Sequence, residues 1–580
     1  MSDLTNTFRV FFQSSSFRAS GLIAAFTFLI CLVAAQSAQA QLTLTVTRTD
    51  DRNTTCNSGV DCSLREAVNA ANAATTKDTI NFAIPAGNAG CTSGVCTITL
   101  TSGNLVVNSA ATTGTLTIRN TTGASNLRIS GNYTSRVFSV NSSGNLTING
   151  VTITNGRTTG NGGGISNRGT LTLTNSTVSG NRAFDGGGIF NIGTMTLTNS
   201  TVSGNTADFF GGGIVNNGGT VTLTNSTVSG NTAINDLGGG IFNSGGGTMT
   251  LTNSTLSGNR SGIGGGGIVN EAIMMVTNST VSGNTAGNGG GIFNFGGITT
   301  LTNSTVSGNT ASSLGGGILN NGGTLNLTSV TVTNNRSTDT GCTDCAGGIN
   351  NFSSSTTNLK NTIVAGNTAA NASSSPDFRG AVTAGSSFNL IGNGLGTTGI
   401  TNTNGNQVGT SANPINPLLA PLANNGGQTQ THALLVGSPA IDAGSNDLAS
   451  GAFDQRGTGF PRIVDGNGDG TAIVDIGAYE VQAAPTAATV SVSGRVTTAQ
   501  GRGIRNVVVT MTDSIGNTRT AMTTSFGYYR FEEVAAGETY IFAARGKRFS
   551  FEQNTQVHSI MEDTNNINFV ADNQSLIPSN

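Results

Sequence analysis

The chain has 580 residues, of which 9% are charged and 5% aromatic, and 84 are glycine. This length exceeds one compact domain, and without an internal period such a composition would be typical of a low-complexity chain. The formal net charge of −2, with no Lys/Arg cluster larger than Lys547-Arg548, excludes nucleic acid as a partner.

Residues 1–40 have the pattern of a secretory signal peptide. Two arginines precede an apolar run over residues 21–35, and Ala38-Gln39-Ala40 supplies the small residues of a cleavage site. We expect cleavage to leave a mature chain that begins at Gln41 and contains no membrane span. The apolar run of residues 21–35 is itself short for a membrane-spanning helix. Retention of this run as an N-terminal anchor is the alternative.

The mature chain would contain six cysteines in three close pairs. Export leads to an oxidising compartment, and a zinc site would need four ligands close together, whereas the chain has only two histidines. All six are therefore predicted to form disulfides, which pair Cys56 with Cys62, Cys91 with Cys96, and Cys342 with Cys345.

Residues 41–150 are predicted to contain an N-terminal cap and the first coils of a repetitive fold. Ser63 and Glu66 have the spacing of a capping box, and apolar residues at helical spacing follow them. A short amphipathic helix at this point would cover the open end of a stack of coils, which otherwise exposes sheet edges and an apolar interior.

Residues 151–388 repeat one phrase, GGGIFN followed by TLTLTNSTVSGNTA, with a period of roughly 25 residues. Apolar residues alternate with Thr, Ser and Asn, which indicates half-buried strands, and three short strands fit each unit. A single unit cannot bury its apolar face, so the units are predicted to stack in parallel about 4.8 Å apart. The isoleucines of GGGI would then form an internal column of Ile189, Ile214, Ile241, Ile268, Ile292 and Ile318.

Asparagine recurs at two fixed places in each unit. The Asn that closes SGN, as at Asn181 and Asn205, is predicted to form a ladder in which each side-chain amide bonds to the corner backbone or to the next coil. The Asn-Ser-Thr of each unit matches the N-glycosylation acceptor, but a glycan on every coil would obstruct stacking, so we interpret this motif as structural.

Two of these features resemble known families. Residues 62–67, Cys-Ser-Leu-Arg-Glu-Ala, resemble the CSLREA motif at the N-termini of secreted bacterial β-helix proteins. The GGGI and SGN repeats resemble those of the polymorphic outer-membrane proteins and, more broadly, the pectin-lyase-like right-handed β-helices. The resemblance implies an all-β fold, a right-handed parallel β-helix with an N-terminal helical cap.

Residues 389–480 contain NLIGNG, THALLVGSPAIDAG, DQRG and VDIGAYE, which resemble the choice-of-anchor Q domain. Such domains usually end β-helical surface proteins, so this segment is expected to form the end of the β-helix. Its histidine, His432, is interpreted as a structural hydrogen-bonding residue.

Residues 481–488 are predicted to be a linker, and residues 489–572 a small β-sandwich with frequent charged residues and Gly turns. GRV, GIRNVVVTM and FGYYRFEEV resemble the carboxypeptidase regulatory-like, or prealbumin-like, domain. Some relatives carry a Lys–Asn isopeptide bond, but the first strand here has Arg495 and no Lys, so no such crosslink is expected.

The run Asp465-Gly466-Asn467-Gly468-Asp469-Gly470 is the sharpest sign of an ion site. Oxygen ligands at positions 1, 3 and 5 before a glycine are typical of an EF-hand-type loop around Ca²⁺. The glutamate of position 12 is missing, so the candidate Ca²⁺ site is a shorter loop of Asp465, Asn467 and Asp469 closed by Asp475 or by Glu480. A polar turn that binds no ion is the alternative. No other cofactor is predicted.

No catalytic residue is predicted. β-Helix lyases and hydrolases need clustered Asp beside Arg or Lys along one groove, and the chain has no GxSxG nucleophile motif. The acidic residues that recur ahead of GGGI are interpreted as solvated corner residues: Asp185, Asp208 and Asp236. The alternative is a polysaccharide lyase or glycoside hydrolase, which would need Asp442, Asp454 and Arg456 in one cleft.

The sequence therefore predicts a non-enzymatic bacterial protein, secreted or held at the outer cell surface, with an adhesin-like or structural role. Its repetitive polar faces would contact polysaccharide or cell-surface components.

Overall fold

The computed structural model describes residues 41–74, 76–108, 114–120, 126–352, 354–371, 374–482, 489–513, 516–551, 553–560 and 562–572. The predicted signal peptide and most of the predicted linker lie outside these residues. The chain divides into two compact units. Among the described residues, the first unit comprises those within 41–463 and 473–480, and the second comprises those within 464–472 and 481–572.

The first unit is a parallel β-helix whose coils contribute to three sheets. The first sheet, sheet 1, has 12 strands in one row. Its strands are Leu105–Val107, Phe138–Val140, Ile165–Asn167, Ile189–Asn191, Ile214–Asn217, Ile241–Ser244, Ile268–Asn270, Ile292–Phe295, Ile318–Asn321, Ile349–Asn351, Phe378–Ala381 and Thr397–Thr398.

The largest sheet, sheet 2, has 24 strands in two rows. The first row comprises Thr43–Val46, Asp78–Phe82, Leu116–Arg119, Asn145–Asn149, Thr170–Thr174, Thr194–Thr198, Thr220–Thr224, Thr248–Thr252, Ile273–Thr277, Ile298–Ser307, Thr324–Thr333 and Thr356–Lys360. The second row comprises Cys91–Thr92, Val95–Thr99, Leu127–Ser130, Thr152–Thr154, Thr177–Ser179, Thr201–Ser203, Thr227–Ser229, Thr255–Ser257, Thr280–Ser282, Ile363–Val364, Leu390–Ile391 and Gln407–Val408. Two strands of the first row, those of ten residues, continue through the second row.

The third sheet, sheet 3, consists of 8 two-residue strands. They are Arg182–Ala183, Thr206–Ala207, Thr232–Ala233, Arg260–Ser261, Thr285–Ala286, Thr310–Ala311, Arg336–Ser337 and Thr368–Ala369. A full repeat therefore has four strands, where the sequence predicted three. The additional strand arises because the Asn of Asn-Ser-Thr, such as Asn199 at φ 49°, turns the chain between the two rows of sheet 2.

The interior of the β-helix consists of straight apolar columns. Each predicted isoleucine of GGGI is fully buried and pairs in register with the isoleucine of the next coil, as Ile189 does with Ile214 and Ile214 with Ile241. The sheet 2 strands add Leu197 and Val202 and their equivalents to the same core. These contacts confirm the predicted all-β fold of stacked parallel coils.

Buried polar ladders bring the turns of successive coils together. Asn181 donates to Asn205 at 2.9 Å and Asn205 donates to Asn231 at 2.9 Å, and the ladder continues to Asn367. This confirms the predicted SGN ladder. A second ladder, formed by the Asn that follows GGGI, was not predicted. It includes the bonds from Asn191 to Asn216 and from Asn216 to Asn243.

The N-terminal end is covered by the predicted helix, Leu64–Ala73, with the capping box of Ser63 and Glu66 formed. Burial alone would raise the pKa of Glu66, but hydrogen bonds from Ser63 and Thr54 to its carboxylate lower that pKa to about 2. Arg65 is also buried, and it pairs with Asp51 at 2.7 Å. Both charges are therefore fixed within the cap.

The chain does not stop at the last coil. Residues 417–463 and 473–480, here called the return segment, contain one short 3-10 helix, Asn446–Leu448, and no strand among the described residues. Thr429 donates to the carbonyl of Asn278 at 3.0 Å, a contact across 151 positions of sequence. The segment expected to end the β-helix thus runs back along the side of its coils.

The second unit is the predicted β-sandwich. One sheet has 3 strands, Thr489–Thr498, Tyr528–Ala535 and Phe569–Ala571, and the other has 4 strands, Val508–Thr512, Thr518–Met522, Glu538–Arg545 and Thr555–Ile560. Val496, Val509, Phe542 and Phe569 are among the buried residues of its core. In the first strand, Arg495 donates to the carbonyl of Phe526 at 3.0 Å.

Candidate functional surface

The first row of sheet 2 exposes a regular array of threonines, here called the threonine face. In four successive strands the residues at alternate positions are all Thr, and they pair in register from coil to coil. The apolar residues between the threonines, such as Leu171 and Leu173, are fully buried. Because side chains alternate between the two faces of a strand, the threonine side chains point outward. The face consists of Thr170, Thr172, Thr174, Thr194, Thr196, Thr198, Thr220, Thr222, Thr224, Thr248, Thr250 and Thr252.

The threonine face is bounded at both ends. The preceding strand has Asn145 and Asn149 at the outer positions, and the following strand has Ile273 and Met275, which are 45% and 42% exposed. None of its positions is charged, although Arg168 lies in the turn that precedes the first of the four strands.

Further along the same row the array changes into a shallow polar groove of about 490 Å³. Asn358 donates to Asn326 at 2.7 Å, and Asn326 donates to Thr300 at 3.4 Å. Lys360 is exposed beside them. The groove therefore offers amide and hydroxyl groups together with one cationic side chain.

In the second row of sheet 2, some threonines form hydrogen bonds with the return segment. In the coils near residues 280–331 the return segment covers them. Thr280 donates to the carbonyl of Gln430 at 2.6 Å, Thr305 donates to the side-chain oxygen of Gln455 at 2.6 Å, and Thr331 accepts from the backbone of Ala478 at 3.0 Å. The equivalent residues of earlier coils, Thr177, Thr201, Thr227 and Thr255, stay partly exposed.

Gln455 is the central contact of the return segment. Its amide also donates to Thr280 and to Thr429, both at 2.9 Å, and the residue is 1% exposed. Gln455 was not predicted from the sequence as a functional or contact residue. The one signal was the nearby polar run of Thr429, Gln430 and Thr431, in which the two threonines are buried and Gln430 is exposed.

His432 is buried beside the same row, as a structural residue would be. Its Nδ1 donates to the carbonyl of Ala420 at 2.6 Å, so Nε2 accepts from Ser307 at 2.8 Å. Burial lowers the pKa of His432 although the bond to Ala420 opposes the shift. The imidazole is therefore held neutral between two hydrogen-bonding partners.

Of the three residues required by the enzymatic alternative, Asp454 and Arg456 are buried and Asp442 is half-buried. Asp454 and Arg456 form a buried ion pair at 2.7 Å. The guanidinium lies 3.9 Å from the ring centre of Phe460 and 3.8 Å from that of Tyr479. Asp442 donates its backbone N–H to the side chain of Asp475 at 2.8 Å.

A second buried arginine completes this cluster. Arg462 is fully buried, donates to the carbonyls of Asp475 and Gly477, and lies 3.9 Å from the carboxylate of Glu480. Burial lowers the pKa of Arg462, and the neighbouring carboxylates oppose that shift. The ionised groups of this segment are therefore paired with one another, and removal of one partner would leave the others buried without a counter-charge.

The predicted calcium ligands belong to different parts of the structure. Asp465, Asn467 and Asp469 lie in one exposed loop, in which the Asp465 carboxylate accepts backbone N–H groups from Gly468 at 2.7 Å and Gly470 at 2.8 Å. Asp475 is fully buried in the β-helix unit. The structure therefore brings three of the four predicted ligands into one loop.

Two of the acidic residues ahead of GGGI, Asp208 and Asp185, have separate partners. Asp208 pairs with Arg182 at 2.7 Å on the surface, and Asp185 accepts the backbone N–H of Phe210 at 3.1 Å. Burial raises the pKa values of Asp185 and Asp236.

All three predicted disulfides are present, joining Cys56 to Cys62, Cys91 to Cys96 and Cys342 to Cys345. Among the described residues, the one close group of three potential metal ligands is Asp339, Cys342 and Cys345. Its two sulfurs are consumed by the third disulfide, so this group is not a thiolate metal site. In the part of the chain that the structure describes, no helix combines the length and apolarity needed to cross a membrane.

Comparison with known proteins identifies one domain of the chain. Residues 491–572 match the family described as carboxypeptidase regulatory-like domain. A solved structure with a similar fold is that of the pectate lyase Pel9A, which is 15% identical, covers 77% of this chain and 98% of its own, and has a TM-score of 0.40. Among curated proteins, no sequence matches the chain.

Proposed function

We propose that the protein is an exported bacterial surface protein whose β-helix binds polysaccharide without cleaving it. The uncovered threonines in the second row of sheet 2 would form the contact surface together with the polar groove at Asn326, Asn358 and Lys360, which would be the principal site. The carboxypeptidase regulatory-like domain would present or attach the β-helix. Export by the signal peptide and display at the cell surface form part of this proposal.

The polysaccharide-binding proposal is supported by the hydrogen bonds that threonines in the second row of sheet 2 form. Where this row is covered, Thr280, Thr305 and Thr331 each hold a polar group of the return segment. Polysaccharide presents hydroxyl groups that can make the same kinds of bonds. Many shallow contacts of this type, repeated coil after coil, suit a long chain ligand.

The buried Asp454–Arg456 pair supports a binding role over the enzymatic alternative. General acid–base chemistry needs the reacting group within hydrogen-bonding reach of a carboxylate or imidazole. Asp454 and His432 are 0% and 2% exposed and have protein partners. Neither is therefore placed to reach a polysaccharide at the outer face.

The groove can be tested with a matched pair of charge reversals. We expect the chain lacking residues 1–40 to co-sediment with an insoluble polysaccharide from a panel of neutral and acidic polymers. Lys360→Glu should reduce binding, most strongly for acidic polymers, because it places a negative charge in the groove. Lys77→Glu, an equal change at an exposed residue of the N-terminal coils, should bind as the unmodified chain does.

Equal loss of binding in the two variants would contradict the groove as the site. Binding to no polymer in the panel would contradict polysaccharide as the ligand.

A further inference from the structure

The threonine face differs from the groove in its chemistry. A groove for sugar chains uses amides and a charge, whereas the twelve residues of this face are one residue type in three straight lines. None of their hydroxyl groups bonds to another part of the protein, as those of Thr280 and Thr305 do. The face therefore presents hydroxyl and methyl groups to solvent in a fixed two-dimensional pattern.

The spacings of this pattern follow from strand geometry. Threonines of adjacent coils are about 4.8 Å apart, and those at alternate positions of one strand are about 6.7 Å apart. The exact registers Thr172 to Thr196, Thr196 to Thr222 and Thr222 to Thr250 keep these lines straight. Threonine has few side-chain conformations in a strand, so the hydroxyl positions are restricted before any ligand arrives.

Tetrahedrally hydrogen-bonded water has comparable repeats. With about 2.75 Å between bonded oxygens, second-neighbour oxygens are about 4.5 Å apart and the layers repeat about every 7.3 Å. Both spacings agree with those of the face to within about a tenth. Over four coils the accumulated offset is about 1 Å, which rotation of a hydroxyl group and small shifts of bound water can accommodate.

The chemistry of the face also suits an uncharged, ordered water lattice. Each hydroxyl can donate one bond and accept two, and the adjacent methyl limits the orientations of first-shell water. The twelve positions include no charge to attract an ionic polymer and no aromatic ring to stack on a sugar. We propose that the threonine face adsorbs to ice. This activity would be additional to polysaccharide binding at the groove.

Partition into growing ice tests this inference directly. The chain lacking residues 1–40 should be enriched in ice grown slowly from a dilute solution, relative to a reference protein that remains in the liquid. It should also slow the coarsening of ice grains in frozen sucrose solution. The double variant Thr196→Tyr with Thr222→Tyr, at the centre of the face, should remain in the liquid because two rings prevent close approach.

A matched control places the same two changes on the same coils but on another sheet. Thr206 and Thr232 are paired in register in sheet 3 and are partly exposed. The variant Thr206→Tyr with Thr232→Tyr should enter ice as the unmodified chain does. Circular dichroism and thermal midpoints show whether each variant is folded, and Thr196→Ser with Thr222→Ser, which removes only methyl groups, should partition at an intermediate level.

Several results would overturn the inference. One is an unmodified chain that stays in the liquid, and another is a folded Thr196/Thr222 tyrosine variant that enters ice unchanged. Binding to crystalline polysaccharide without enrichment in ice would also overturn it, and it would leave the proposed function intact. Conversely, loss of polysaccharide binding in Lys360→Glu with normal ice partition would show that the two surfaces act separately.

Discussion

The coils near residues 177–257 and those near residues 280–331 repeat the same sequence phrase but have different surroundings. In the first group, the threonines of the second row of sheet 2 are partly exposed. In the second group, the equivalent threonines lie under the return segment and hold it by hydrogen bonds. A repeated residue can therefore be structural in one coil and available for binding in another, depending on what covers it.

The largest expected effect comes from removing the charge that compensates the buried carboxylates of the return segment. Arg462→Met would leave Glu480 and Asp475 buried without this cation, which typically costs about 3–5 kcal/mol. Proteolysis and hydrogen exchange should show the return segment opening, while the coils near residues 177–257 stay protected. Arg260→Met, at an exposed arginine, serves as the control. Identical protection in the two variants would contradict this account of the segment.

A second effect is the pH dependence of stability in the later coils, where the SGN ladder ends with a hydrogen bond from Asn367 to the carboxylate of Asp377. Burial raises the pKa of Asp377 to about 6 despite the hydrogen bonds from Asn367 and Asn393 that oppose the shift. Because the folded pKa exceeds the unfolded value, the stability from this group is fully present below pH 3.8 and is lost as the pH rises through about 6. The loss is up to about 3 kcal/mol.

Thermal unfolding of the unmodified chain and of Asp377→Asn from pH 3 to pH 7 measures this contribution. The difference in stability between the unmodified chain and the variant should change with pH in that window and level off at both ends. A difference that stays constant with pH would show that Asp377 does not titrate there.

A smaller effect on stability is expected from removing one threonine hydroxyl, and it should differ between the covered and the uncovered coils. Thr305→Val removes the hydroxyl that bonds to Gln455 and should cost about 1–2 kcal/mol, because a buried acceptor is left without its partner. Thr201→Val changes the equivalent but uncovered position and should alter stability by less than about 0.5 kcal/mol. Chemical denaturation of the two variants checks this, and equal effects would remove the distinction between the two groups of coils.

The smallest expected effect is that of calcium on the loop of Asp465, Asn467 and Asp469. A weak extracellular-type site with a dissociation constant near about 1 mM would stabilise the chain by about 1 kcal/mol at several millimolar Ca²⁺. The thermal midpoint should rise with Ca²⁺, return with EDTA, and not respond in Asp465→Asn. A midpoint that ignores Ca²⁺ would favour the simple polar turn.

The stacked fold could be predicted because its determinants are local and repeated. The column of Ile189, Ile214 and Ile241, the SGN ladder and the capping box at Ser63 are each visible in a short stretch of sequence. The fourth strand was missed because the bend at Asn199 depends on a left-handed backbone that the sequence only suggests.

The contacts of the return segment could not be predicted in the same way. Gln455 and Thr305 are 150 positions apart, and nothing in either neighbourhood specifies the partner. Asp454 and Arg456 were recognised as a pair to examine, but their burial depends on Phe460 and Tyr479, which the chain brings together only after folding. Whether charged residues line a cleft or form an internal ion pair depends on which distant residues cover them in the fold, and residue type alone does not show this.

The central claim is that the outer side of sheet 2 binds polysaccharide and performs no chemistry on it. The most direct measurement incubates the chain lacking residues 1–40 with each polymer of the panel and records bound protein together with new reducing ends and unsaturated sugars. We expect binding to at least one polymer with no product released over time. Release of either product by the purified chain would contradict it.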